Sequence, residues 1–273
     1  MTCGGGESKI EEERRATMRG IIIDEIGQIE DALESTAIDA YSLQNVGDEE
    51  MILHLFQHHG INMGVDDVRM DDFEKGVQFY QNQGHDVTIR NSGGRSIVAD
   101  EGVLNMSLIF NSDAAMDDNY DYYGDFIRAA LRPIASHIDI FKIDGAYCPG
   151  DTDMSIDGKK FCGTAQRRSG KRVSMVCYLS VCGNQQIRGE LVRDFYAQCR
   201  GNVVHVDPTK MESLDILTGY ELSPRYIGDL LIHELRNRCD AIEEVYKQDL
   251  DEQGFIEAKR RTVLHNQRLL SKL

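Results

Sequence analysis

Residues 153–168 read DMSIDGKKFCGTAQRR, a run that alternates around Asp157-Gly158. An Asp-Gly pair between two such runs is a strong short-range hairpin signal, because both turn positions require positive φ. The next run, RVSMVCYLSV over 172–181, keeps a period of two in part and predicts a long strand. Working back from the hairpin, CPGD (148–151) is a turn and residues 140–145 predict a strand. Further strands are expected at 51–56, in the GINM stretch just after it, at 87–90 and at 103–110. Helical spacing of apolar residues is found over 28–44, 71–83 and 120–137, with Gly84 stopping the second and Pro133 bending or breaking the third. Beyond the long strand, 190–199 predicts a helix, and Ser223-Pro224 is an N-cap and first-turn pair opening a helix to about Cys239. A last charged helix spans 248–272 and is expected to break near Gly254. The total is α+β: a mixed, largely antiparallel sheet with helices packed on it.

The chain has 273 residues, 41% hydrophobic and 28% charged, which suits one large globular domain. Residues 1–20 are Gly-rich and then charged; they predict a mobile tail running into a helix, ahead of a single domain over 21–273. No apolar run is long enough to span a bilayer. The net charge is −16, the wrong sign for a nucleic-acid binder. It is uneven: residues 1–158 carry −20 and residues 159–273 carry +4, so an anionic ligand or acidic partner is expected on the second part. Seven cysteines without an apolar leader predict reduced thiols in the cytoplasm. There is no C-x-x-C pair, and Cys177 and Cys182 are better read as structural thiols than as a metal site.

Two segments stand out for chemistry. In RNSGGRSIVADEG (90–102), Gly93 and Gly94 after a strand permit close backbone approach to a ligand, and Arg90 adds a charged donor. An ordinary strand–turn–strand explains the same residues. In GAYCPGDTDMSIDGKK (145–160), Cys148 sits at a turn, where a stabilised thiolate is a nucleophile, and Lys159 and Lys160 lie one hairpin away. A buried thiol and solvated lysines are the plain alternative.

Taken together and in this order, the segments resemble the biotin/lipoate A/B protein ligase superfamily. RNSGG with DEGVLNMSL is similar to its R-R-x-S-G-G-G-A and D-x-G-N-L-N-x-S motif; DMSIDGKKFCGTAQRR is similar to its D-L-x-x-x-G-R-K-x-x-G-x-A-Q-R-R motif. The preceding YCPG resembles one branch, the octanoyl-(glycine cleavage H protein):protein N-octanoyltransferases. The chain departs from the family pattern at Arg95, Ser96 and Ala99, where the third glycine, the alanine and a histidine common in the ligases stand.

The resemblance implies that Cys148 takes an octanoyl or lipoyl group from the H protein as a thioester. Cys148 then passes that group to a lysine on the lipoyl domains of 2-oxoacid dehydrogenase complexes. It further implies that Lys160 is the active-site lysine, that Arg90, Ser92, Gly93, Gly94, Gly158 and Gly163 bind substrate, and that no metal or cofactor is needed. Lys160 is then expected beside the sulfur, with Lys159 on the opposite face. Val98, Leu104, Met106, Ile156 and Phe161 are candidate walls of the acyl slot. Arg167, Arg168, Lys171 and Arg172 are a basic cluster for an acidic partner, and Asp117, Asp118 and Asp121 are expected in a solvated loop. The rivals are an ATP-dependent lipoate–protein ligase, a transferase using octanoyl-acyl carrier protein, and a non-catalytic module that binds acyl carriers.

Overall fold

The computed structural model describes residues 18–90, 93–200 and 204–271. In chain order the elements are β1 (Arg19–Glu30), α1 (Ala32–Asn45), β2 (Glu50–His58), β3 (Gly60–Met63), α2 (Phe73–Asn82), β4 (Val87–Ile89), β5 (Ile97–Ala99), β6 (Val103–Asn111) and α3 (Met116–Leu131). They continue with β7 (Asp139–Ile140), β8 (Met154–Ile156), β9 (Lys159–Ser169), β10 (Arg172–Ser180), α4 (Gln185–Gln198), α5 (Leu214–Thr218), α6 (Pro224–Arg238), β11 (Ala241–Glu244) and α7 (Glu252–Leu270).

The β8–β9 hairpin forms where its dipeptide demands it: Asp157 has φ 50° and Gly158 φ 71°, the left-handed pair of a two-residue turn. The larger sheet has the order β11-β1-β2-β6-β10-β9-β8-β7, parallel from β11 through β2 and antiparallel elsewhere. A small sheet, β4-β3-β5, packs beside it.

The two faces of the large sheet differ. One presents Leu53, Leu55, Leu104, Met106, Leu108 and Met175 to the apolar stripes of α3 and α6, including Phe126, Ile127, Ile227 and Leu231. The alternate residues of the same strands face α1 and include His54, Asn105, Ser107 and Ser174, all buried. A further core around Tyr80, Tyr147, Tyr178 and Phe195 joins α2 and α4 to the small sheet.

The expected elements recur with shifted ends. Helix α1 starts at Ala32, not 28, because β1 pairs with β2 as far as Glu30 and Asp31 then caps the helix, accepting the Leu33 N–H at 2.9 Å. Residues 1–17 lie outside the described residues; Arg19 and Gly20, placed with the tail by composition, pair in β1, a strand where a helix was expected. Helix α3 begins at Met116, so Asp117, Asp118 and Asp121 belong to its first turns, not to a loop, and it ends at Leu131 ahead of Pro133. The strand expected at 140–145 shrinks to Asp139–Ile140. Gly254 does not break the last helix: it sits in the first turn and donates its N–H to Asp251 Oδ2 at 2.6 Å. Among the described residues, no helix is long and apolar enough to cross a membrane.

Candidate active site

Cys148 lies in the loop between β7 and β8 with φ 45°, a left-handed conformation unusual outside glycine. Its sulfur is half-buried and accepts the Arg95 backbone N–H at 3.2 Å; Arg90 Nη2 is 3.5 Å away. The Arg90 guanidinium is otherwise spent on carbonyls, those of Asn62 at 2.8 Å, Gly93 at 3.0 Å and Arg95 at 2.8 Å. The guanidinium thus reaches the sulfur while its carbonyl bonds tie it to the small sheet and the glycine loop.

The glycine loop is tight for the same reason. A Cβ on Gly94, at φ 92°, would stand 2.8 Å from Arg90 Nη2 and 2.9 Å from the sulfur. Only glycine lets the loop and the cysteine turn meet.

Lys160 is fully buried, yet its ammonium does not touch the sulfur. Nζ donates to Asp153 Oδ1 at 2.8 Å, to the Cys148 carbonyl at 2.7 Å and to the Tyr147 carbonyl at 3.1 Å. These use all three ammonium protons. Asp153 also accepts the N–H groups of Gly150 at 3.1 Å and Ile143 at 3.3 Å. Burial pushes the Asp153 carboxyl up and Lys160 pulls against it. The pair is thus a clamp on the backbone of the cysteine turn. Gly163 leaves room for it: a Cβ there would stand 3.2 Å from Nζ. Lys159 points away, to the carbonyl of Thr209.

A cavity of about 380 Å³ opens at the sulfur, within the roughly 300–1,000 Å³ usual for small-ligand sites. Arg90, Gly93, Gly94, Cys148 and Gly163 line it. Gly158 does not; it is exposed at the hairpin tip. Ser92 lies outside the described residues. None of Val98, Leu104, Met106, Ile156 and Phe161 lines the cavity. Leu104 and Met106 point to the face under α3 and α6, and the apolar part of the wall comes instead from Leu43, Phe56, Ile97 and Val176, beside the polar Asn105. Of the basic cluster, Arg167 faces the cavity, while Arg168 and Lys171 stay together on the 112–114 segment, bonding the Ser112 and Ala114 carbonyls and Asp113.

Two residues that hold the cysteine turn were not expected there from sequence. Arg95 acts through its backbone N–H, which leaves no trace in residue type. Asp153 is the first residue of the DMSIDGKK run, and its signal is a lone acid opening a hairpin. Among the other thiols, burial pushes Cys162 far up and Cys199 and Cys239 up to about 11. Among the described residues, no group of His, Cys, Asp and Glu is arranged to hold a metal ion.

Residues 31–236 match the lipoyl protein ligase A/B catalytic domain. The chain is 33% identical over 252 residues to the octanoyl-(GcvH):protein N-octanoyltransferase of Oceanobacillus iheyensis, covering 88% of this chain and 90% of that one. It is 34% identical over 205 residues to the lipoyl-(GcvH):protein N-lipoyltransferase of Listeria monocytogenes, covering 71% and 74%. A crystal structure of lipoate-protein ligase A bound with ATP superposes with TM-score 0.69 at 15% identity over 89% of this chain and 93% of that one. A lipoate protein ligase of T. acidophilum with bound lipoic acid gives 0.67 at 15% identity, with the same coverage of 89% and 93%.

Proposed function

Since this chain belongs to the lipoyl protein ligase A/B catalytic domain family, we propose that it is a protein N-acyltransferase working through a thioester on Cys148. The donor is the octanoyl- or lipoyl-lysine of the glycine cleavage H protein, and the acceptor is the lysine of lipoyl domains on 2-oxoacid dehydrogenases. The names of its relatives support this donor.

In the first half-reaction the Cys148 sulfur attacks the carbonyl carbon of the donor's acyl-lysine amide. The C–N bond breaks, the carrier's lysine amine leaves with the thiol proton, and the acyl group remains as a thioester. In the second, the acceptor amine attacks that thioester, the C–S bond breaks and the proton returns to sulfur. One amide replaces another, so the exchange is near thermoneutral and needs no ATP.

The observation that carries this reading is a cysteine sulfur in a left-handed turn, bonded to the Arg95 N–H and 3.5 Å from Arg90, at the mouth of a cavity. Arg90 and the Arg95 N–H hold the sulfur at the mouth of the cavity. Lys160 and Asp153 are positioning residues that fix the turn. Sheltering about six methylenes of the chain contributes on the order of 4–5 kcal/mol at roughly 0.8 kcal/mol each.

The test is intact-protein mass spectrometry after mixing with octanoylated H protein. The expected result is a gain of one octanoyl group, removed by hydroxylamine and lost in Cys148→Ser. Acceptor modification that persists in Cys148→Ala and requires ATP would overturn the scheme in favour of a ligase.

A further inference from the structure

The glycine loop that meets Cys148 carries two side chains, Arg95 and Ser96, where the family pattern has a glycine and an alanine, and both end on one carboxyl group. That group belongs to Asp67, fully buried in the short turn between β3 and α2. Its Oδ2 accepts the Ser96 hydroxyl at 3.0 Å and the Gly64 N–H at 3.3 Å. Its Oδ1 accepts the Tyr196 hydroxyl at 2.9 Å and lies 3.7 Å from Arg95 Nη1, and the Arg95 guanidinium stands 6.0 Å from the centre of the Tyr196 ring. Burial pushes this carboxyl up, and its two hydroxyl donors and the nearby Arg90 and Arg95 pull it down.

Residue 95 is thereby held from three sides. Its N–H is on the Cys148 sulfur, its carbonyl accepts from Arg90 Nη2, and its side chain reaches Asp67. Beneath the loop, Gly64 forms a floor: a Cβ there would stand 1.7 Å from the Gly94 carbonyl oxygen and 2.7 Å from the Arg95 nitrogen. Asp67 bonds that floor and the loop above it with one and the same oxygen. A buried carboxyl is costly unless it is well bonded, and two of the four partners here are the donor to the sulfur, Arg95, and its neighbour Ser96.

We propose that Asp67 is a positioning residue for acyl transfer: through Ser96 and Arg95 it fixes the loop so that the Arg95 N–H meets the Cys148 sulfur. This rests on the acyl-transfer reading above. Asp67 touches no reacting atom; it acts on the direction in which the sulfur is held at the cavity mouth. Without it the loop is anchored only through Arg90 and its own backbone, and a misplacement of about 1 Å at a reacting group costs on the order of 10²-fold in rate. Asp67→Asn breaks the anchor whichever way the amide turns. An NH2 replaces one accepting oxygen, so either Ser96 and Gly64 or Tyr196 and Arg95 lose their acceptor.

The experiment is a double-mutant cycle read in single turnovers. Formation of the Cys148 adduct from octanoylated H protein is timed by mass spectrometry over a range of donor concentrations. The proteins are the wild type, Asp67→Asn, Arg95→Gly/Ser96→Ala, which restores the family's residues, and the triple variant. Asp67→Asn is expected to lower the maximal rate about tenfold or more and to leave the half-saturating donor concentration unchanged. In the Arg95→Gly/Ser96→Ala background the same change at 67 should alter the rate by less than about twofold, since no side chain is left to carry its effect. Equal losses in both backgrounds, no loss in the wild-type loop, or a shift in half-saturation alone overturns the proposal while leaving acyl transfer intact. A urea melt shows which variants fold. Should Asp67→Asn not fold, Ser96→Ala decides: a several-fold slower adduct is expected, and an unchanged rate overturns the proposal. Absence of an adduct in the wild type overturns acyl transfer and this proposal with it.

Discussion

The two faces of the large sheet are made by alternate residues of the same strands, yet they do different work. Leu104, Met106 and Leu108 enter a dry core under α3 and α6. Asn105 and Ser107, between them, face α1 and the cavity side, with His54 across the strand pair. Space for a ligand is left where side chains are small or polar, at Gly163, Ala165 and Ser174, and is filled where they are branched and apolar. Apolar residues that share the cavity face, such as Phe56 and Val176, do line it, so the face a residue points to and not its hydropathy selects the walls.

The largest effect should come from charge beside the cavity. Lys160→Ala leaves Asp153 buried without its ion-pair partner and is expected to cost about 3–5 kcal/mol in a urea melt, part of it recovered by Asp153→Asn in the double variant. Equal stability of the single variant and the wild type would break the view of this pair as a clamp.

Adjacent residues then sharpen the contrast between faces. Leu108→Ala, in the dry core, should cost about 2–5 kcal/mol and leave acyl transfer to Cys148 unchanged in the protein that remains folded. Ser107→Ala should cost only about 1 kcal/mol and slow acyl transfer, because it releases Asp39 in the cavity wall. Opposite outcomes would dissolve the distinction.

The polar face should also respond to pH. Burial opposes charge on His54, but the Asp39 and Glu25 carboxylates hold it protonated up to about 9 in the fold; unfolded, it loses its proton near 6.5. Its stabilisation is therefore fully present below about pH 6.5 and is lost as pH rises through about 9, up to about 3 kcal/mol. Denaturant melts of the wild type and His54→Gln across that window should differ in slope; parallel curves would show a neutral imidazole. The hairpin tip belongs to neither face. Gly158→Ala, with φ 71° and open space around it, should cost about 1–2 kcal/mol and leave acyl transfer intact.

Much of the fold was legible because its signals are local. Asp157-Gly158 dictates a two-residue hairpin, and Ser223-Pro224 opens α6, with the serine accepting the Tyr226 N–H. Strand β1 was not legible, because IIIDEIGQIE has no clean period and its parallel pairing with β2 is made across sequence, not within it. The Asp117–Asp121 acids were misplaced because a helix N-terminus and a solvated loop favour the same residues.

By itself the sequence determined the hairpin, the cysteine turn and the glycine pair, since each depends on backbone angles that only certain residues adopt. Tertiary structure alone decided that the sulfur meets the Arg95 N–H and Arg90 while Lys160 turns to Asp153. It alone decided which face of β6 borders the cavity. Those choices are made by distances between segments far apart in the chain, and a one-residue change of register would reverse them.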